Sequence, residues 1–146
     1  MEMKRKIWLL GIFSFFVSFN SFAQKAVVAP PPIYEKVDAM PQFIGGRSGW
    51  QSFVVKEMDI TPVIEAMDST SYANYGTKQT AILEFTVCED GEVCDIEVIN
   101  KGGISPEFAE EALRVMKKSP KWKPGLKDSK PVRTRFRQPI TAILDQ

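Results

Sequence analysis

The segment from Ser119 to Ile140, SPKWKPGLKDSKPVRTRFRQPI, restricts the fold more than any other stretch of the chain. Pro120 and Pro124 fix their own φ and remove two backbone donors, so any preceding helix ends at Ser119 and the chain crosses as an extended connector. Trp122 lies between them, a large apolar ring with one N–H to satisfy, and Gly125 ends the run. A ring so placed is expected to anchor a core. From Pro131 the pattern alternates. Val132, Thr134 and Phe136 fall on one face and Arg133, Arg135 and Arg137 on the other, the period-two signature of a half-buried strand. Pro131 and Pro139 bracket this run, and proline cannot donate to a ladder, so the strand is expected at a sheet edge. Such an edge carries unpaired N–H and C=O groups that are either protected or available for pairing.

Residues 81–99 give the clearest local signal upstream. Ala81, Leu83, Phe85 and Val87 alternate with polar residues, Asp90-Gly91 supplies a tight turn, and Cys94, Ile96 and Val98 alternate again. A turn centred on Asp90-Gly91 pairs residue 87 with 94, 85 with 96 and 83 with 98, placing both apolar rows on one face. Ser105 then reads as an N-cap with Pro106 at the first helical position. Phe108, Ala112, Leu113 and Met116 form a buried stripe that runs to Lys118. A second helical pattern starts near Ser48 with Trp50, Phe53, Val54 and Met58 on one side, and a short piece restarts at Thr61-Pro62. Tyr34 and Val37 suit one short strand, and the polar stretch from Asp68 to Thr80 reads as a loop. The expected class is α+β: an antiparallel three-stranded sheet, made of the hairpin and the C-terminal edge strand, with two main helices packed on one face.

The N-terminus follows different rules. Lys4, Arg5 and Lys6 precede an apolar run from Ile7 to Phe19, and Ser21-Phe22-Ala23 offers small residues for a signal peptidase. Residues 1–23 therefore read as a cleaved signal peptide and 24–33, with Pro30, Pro31 and Pro32, as a Pro-rich linker ahead of one domain at 34–146. The apolar run is short of the roughly 20 residues that span a bilayer. A membrane role is expected only if this segment is retained.

Charge is balanced over the 146 residues, with 19 Lys/Arg against 18 Asp/Glu, but it is lopsided along the chain. Arg114 to Arg137 holds ten bases and one acid, Asp128. No RNA-binding motif accompanies those bases, so they read as a solvated face that blunts a sheet edge rather than as a nucleic-acid surface. Histidine is absent from the sequence, which excludes His-based triads and His-ligated zinc. Glu84, Glu92, Asp95 and Glu97 read as the solvated face of the hairpin. No metal-ligand spacing and no phosphate-cradling glycine loop occurs in the sequence. The expectation is a protein that is not an enzyme and takes no cofactor or metal.

The segments MPQFIGG, FTVCEDGEVCDIEVI, EEALRVMKKSPKWKPG and KPVRTRFRQPI together resemble the C-terminal domain of TonB, the periplasmic energy transducer. The resemblance spans about residues 34–144 and is most specific in the helix ending SPKWKPG and the KPVR strand after it. It implies a periplasmic module that binds the extended N-terminal segment of outer-membrane transporters by adding it as a strand, in support of siderophore, vitamin or glycan uptake. On this chain the peptide-binding residues would be Val132, Arg133, Thr134, Arg135, Phe136, Arg137 and Gln138. Trp122, Pro124, Gly125, Asp90 and Gly91 would have structural roles. A full transducer also has an inner-membrane anchor and a long arm, whereas the ten linker residues here reach only about 35 Å. Two other readings are an anchored transducer working beside an inner-membrane proton channel, and a structural domain whose last strand pairs with its twin in a homodimer.

Cys88 and Cys94 set two rules against each other. Exported proteins usually bridge two cysteines. With residue 87 paired to 94, however, Cys94 shares the apolar face with Ile96 and Val98, while Cys88 lies opposite with Glu84 and Thr86. Side chains on opposite faces cannot reach the roughly 4 Å Cβ separation of a disulfide. The expectation is two unbridged thiols, Cys94 buried and Cys88 exposed, unless a bulge at Glu89 or Glu92 shifts the parity.

Overall fold

The computed structural model describes residues 29–145, so the signal-peptide reading of 1–23 and the first half of the linker, 24–28, lie outside the described residues. Among the described residues the α-helices are α1 (Gly46–Glu57), α2 (Thr61–Ala66), α3 (Ser69–Tyr75) and α4 (Pro106–Lys117). The strands are β1 (Lys78–Val87), β2 (Val93–Val98), β3 (Gly125–Lys127), β4 (Lys130–Val132) and β5 (Thr134–Ile143). An antiparallel three-stranded sheet runs in the order β2-β1-β5, and β3 and β4 form a separate two-stranded ribbon. This is an α+β fold with more helix than the two main elements expected.

Helix α4 follows its local signals closely. The Ser105 hydroxyl accepts from the Phe108 N–H, Pro106 occupies the first turn, and Arg114 and Lys117 sit at the C-terminal end. Phe108, Ala109, Ala112, Val115 and Met116 are buried against the sheet together with Leu83, Phe85, Val87 and Val98. Helix α1 buries Trp50 and half-buries Phe53 and Val54, whereas Val55 is 81% exposed. Its C-terminal end is tied to α4. Arg114 donates to the Glu57 carbonyl at 2.6 Å, and Glu111 accepts from the Asp59 N–H at 2.7 Å.

Several expectations change. The polar stretch from Asp68 to Thr80 is not a loop: Asp68 caps α3 by accepting from the Ser71 N–H at 2.8 Å, and β1 already begins at Lys78. Tyr34 does not belong to a strand of its own. It makes an isolated parallel bridge to Thr134, while Ala39 and Gln42 bridge Leu126 and Lys123. The last strand is not one run over 132–138. Val132 ends β4, Arg133 interrupts, and β5 continues to Ile143. The β3–β4 turn, Asp128-Ser129, has φ of 49° and 61°, the sign a two-residue hairpin turn requires at both positions. The Asp38 carboxylate holds it by accepting from the Asp128 N–H at 2.7 Å.

The hairpin tip is also revised. Cys88 donates to the Glu92 carbonyl at 2.8 Å and accepts from the Gly91 N–H at 2.9 Å, so three residues, not two, form the loop. Gly91 supplies the left-handed position, with φ of 84°. Val87 therefore pairs with Val93 and Thr86 with Cys94. Asp95 and Ile96 then oppose Phe85 alone, a bulge with Asp95 at φ 54°, and the register returns to Glu84 with Glu97 and Leu83 with Val98. The loop and the bulge cancel. Only the tip between them has inverted parity, so Val93 turns inward and Cys94 moves to the face of Cys88.

Candidate functional site

β5 pairs along its whole length with β1, from Lys78 with Ile143 to Val87 with Thr134, and its other side is a sheet edge. Tyr34 reveals the parity of that edge. It donates to the Arg133 carbonyl at 2.8 Å and accepts from the Arg135 N–H at 2.9 Å, so the N–H of residue 135 points away from β1. Backbone groups alternate direction along a strand, and Leu144 donating back to Thr77 on the β1 side keeps the same phase. The outward donors are therefore Arg137, Thr141 and Ile143. Pro139 falls in the same row with no N–H, which is where an edge tolerates proline. Tyr34 occupies the start of the edge, and among the described residues none pairs with the part beyond Arg135.

Side chains on β5 split by face. Thr134, Ile140 and Ala142 are buried, Phe136 and Gln138 half-buried, and the arginines lie on the opposite face. The Arg135 guanidinium reaches Glu84 at 3.2 Å and the Arg137 Nε reaches its other carboxylate oxygen at 2.6 Å. Glu84 sits on the central strand, and the hydrogen bond from Arg137, then that from Arg135, holds its carboxyl below the ordinary glutamate value. Arg133 is separate: it spans Asp95 at 3.7 Å and the Pro31 carbonyl at 3.3 Å. Val132 is on the ribbon, away from the open edge, and pairs with Gly125.

Two grooves flank the open edge, one on each face. The inner groove, about 400 Å³, is lined by Gln42, Phe43, Arg47, Trp50, Phe136 and Gln138 among others. The outer groove, about 420 Å³, is lined by Glu35, Met40, Glu84, Arg135, Phe136 and Arg137. A strand lying beside β5 would send alternate side chains to the two faces and hence toward the two grooves. No sequence signal pointed to Pro41–Trp50 as a wall of this site, because that wall is formed by residues remote in sequence from the edge.

The structural residues converge behind the inner groove. Trp122 is 4% exposed and its ring meets Phe43, Trp50, Phe85 and Phe136 at centroid distances of 5.1–5.8 Å. Its Nε1–H donates to the Ser119 hydroxyl at 2.8 Å, which satisfies the one polar group on the ring. Gly125 is buried, and a β-carbon there would lie 2.2 Å from the Thr134 hydroxyl oxygen, so this close approach to β5 requires glycine. Pro124 is half-buried beside it. Asp90 accepts from the Glu92 N–H at 3.0 Å and meets Lys121 at 3.5 Å, coupling the hairpin tip to the connector.

Residues 73–141 match the family described as Gram-negative bacterial TonB protein C-terminal. The match begins in α3 and ends in β5, so Tyr34 and the Pro41–Trp50 wall lie outside it. No curated protein and no solved structure matches the chain. Among the described residues no helix is long and apolar enough to cross a membrane.

Proposed function

We propose, from the match of residues 73–141 to the TonB C-terminal family, that this protein receives an extended peptide as an added strand on β5 in the periplasm. The peptide is the N-terminal segment of an outer-membrane transporter. The observation that carries this reading is the open edge of β5 beyond Arg135, with a groove on either face. Main-chain hydrogen bonds to Arg137, Thr141 and Ile143 would supply sequence-independent affinity, and the grooves would select side chains. Phe136, Arg137 and Gln138 are the expected contacts, joined by Pro139 to Ile143. Arg133 and Thr134 lie where Tyr34 already pairs, and Val132 lies on the ribbon.

Pro139 disfavours the homodimer. A two-fold pairing of β5 with its twin centred near residue 139 would lack the same donor on both strands. A peptide free to choose its register can place a residue that needs no partner opposite Pro139.

Titration of the isotope-labelled protein with synthetic transporter N-terminal peptides, followed by amide NMR, tests the reading. Shifts should concentrate on residues 135–143 and the two grooves. Arg137→Pro, which removes an outward N–H, should weaken binding about tenfold, equivalent to roughly 1.4 kcal/mol, while Arg137→Ala keeps that N–H and controls for the lost guanidinium. Equal affinity in both variants, or shifts away from β5, would count against strand addition.

A further inference from the structure

The thiols of Cys88 and Cys94 lie on one face of the hairpin tip with their sulfur atoms 3.0 Å apart. The three-residue loop brings Cys94 to this side, and the bulge at Asp95 then lets Ile96 and Val98 return to the core. Both residues are half-buried. The Arg133 guanidinium approaches Cys94 Sγ at 3.9 Å from β5's end of the sheet. Two thiols are too few for a structural zinc site, which takes four ligands, and the described residues group no three His, Cys, Asp or Glu side chains in reach of one ion.

We propose that Cys88 and Cys94 are a modification site, joined as an intramolecular disulfide once the protein meets a thiol-oxidising compartment. The two sulfurs need to close by only about 1 Å to reach bonding distance, and rotation about the two Cα–Cβ bonds supplies that movement. The oxidant is a disulfide-carrying thiol oxidoreductase. A Cys88 thiolate attacks one sulfur of its disulfide, forming a mixed disulfide and releasing one thiolate of the oxidoreductase. Cys94 then loses its proton and attacks Cys88 Sγ, expelling the second thiolate. The protein gives up two electrons and two protons, and the oxidoreductase leaves as its dithiol. Burial, with Cys88 alongside, pushes the Cys94 thiol up to about 11, which keeps it protonated and disfavours it as the first attacker.

The bond would close a short loop that contains Gly91, and the Gly91 carbonyl accepts from the Trp122 N–H at 2.8 Å. Oxidation therefore staples the tip that positions the central ring of the core. This inference is independent of peptide binding on β5.

The test is thiol trapping of the full protein exported from a bacterial host, quenched and alkylated without reductant, then weighed intact. The expected product carries no alkyl group, is about 2 Da lighter than the dithiol, and gains two alkyl groups after reduction. Peptide mapping should return residues 88 and 94 cross-linked within one chain. Two alkyl groups before reduction, or a cross-link between chains, overturns the proposal. Cys94→Ser and Cys88→Ser give the second reading. Each should leave its remaining cysteine open to alkylation in the exported protein. A cysteine that stays blocked in either variant overturns the pairing. Reductant should also lower the melting temperature of the wild type and leave that of the double serine variant unchanged.

Discussion

Gly91 and Trp122 lock together through their backbones. The Trp122 N–H donates to the Gly91 carbonyl at 2.8 Å, and a β-carbon on Gly91 would lie 2.1 Å from the Trp122 carbonyl oxygen. The hairpin tip thus touches the connector where only a glycine fits, at a φ of 84° that also favours glycine. This contact ties the hairpin tip to the connector that carries the tryptophan into the core.

Gly91→Ala is expected to destabilise the domain by about 2 kcal/mol or more, combining left-handed strain with the backbone collision. Urea denaturation measures it. Gly102→Ala is the control, since a β-carbon there meets nothing within 4 Å, and it should change stability little. Equal effects from the two substitutions would contradict the locking contact.

Trp122→Ala removes the ring shared by Phe43, Trp50, Phe85 and Phe136 and should cost about 3–5 kcal/mol in the same assay. A loss below about 1 kcal/mol would show that the aromatic cluster closes over the gap without cost.

Glu84 predicts a pH dependence. Its folded pKa lies below the ordinary value of 4.5 because Arg137 and then Arg135 donate to it. A depressed carboxyl contributes stability that is full above the unfolded value and is lost as pH falls through the folded one. Glu84→Gln should therefore be less stable than wild type near neutrality, with the gap narrowing as pH drops below about 4.5. Denaturant midpoints across that range decide it: a gap that holds constant into acid would mean that the carboxylate charge contributes nothing.

Asn100 extends the sheet where β2 has ended. Its side chain accepts from the Ile82 N–H and donates to the Thr80 carbonyl, both at 2.8 Å. Asn100→Ala leaves those two groups of the central strand without partners and should cost about 1–3 kcal/mol. Hydrogen exchange at the Ile82 amide should accelerate beyond what the global loss explains. Unchanged protection there would mean that water replaces the side chain.

Elements whose signals are local were legible in the residues. Ser105-Pro106 and the stripe from Phe108 to Met116 define α4, and a cap and a 3.6-residue period need no distant partner to act. The edge character of the last strand was legible for the same reason, since Pro139 states in one residue that no ladder donor is needed there. Helix α3 was not, because nothing in STSYANY forms an apolar stripe; Asp68 caps it and Tyr72 alone leans on the core. The parity of the hairpin tip was decided by tertiary structure. Alternation reports which residues share a face only while pairing is unbroken, and here a three-residue loop and a bulge each shift it by one. The site divides in the same way. Arg135, Phe136 and Arg137 announce a strand with two unlike faces. That Arg135 and Arg137 close on Glu84, that Tyr34 covers the start of the edge, and that Pro41–Trp50 walls the inner groove depend on residues far apart in sequence. Such contacts exist only once β5 has paired with β1, because pairing brings those distant residues to one place.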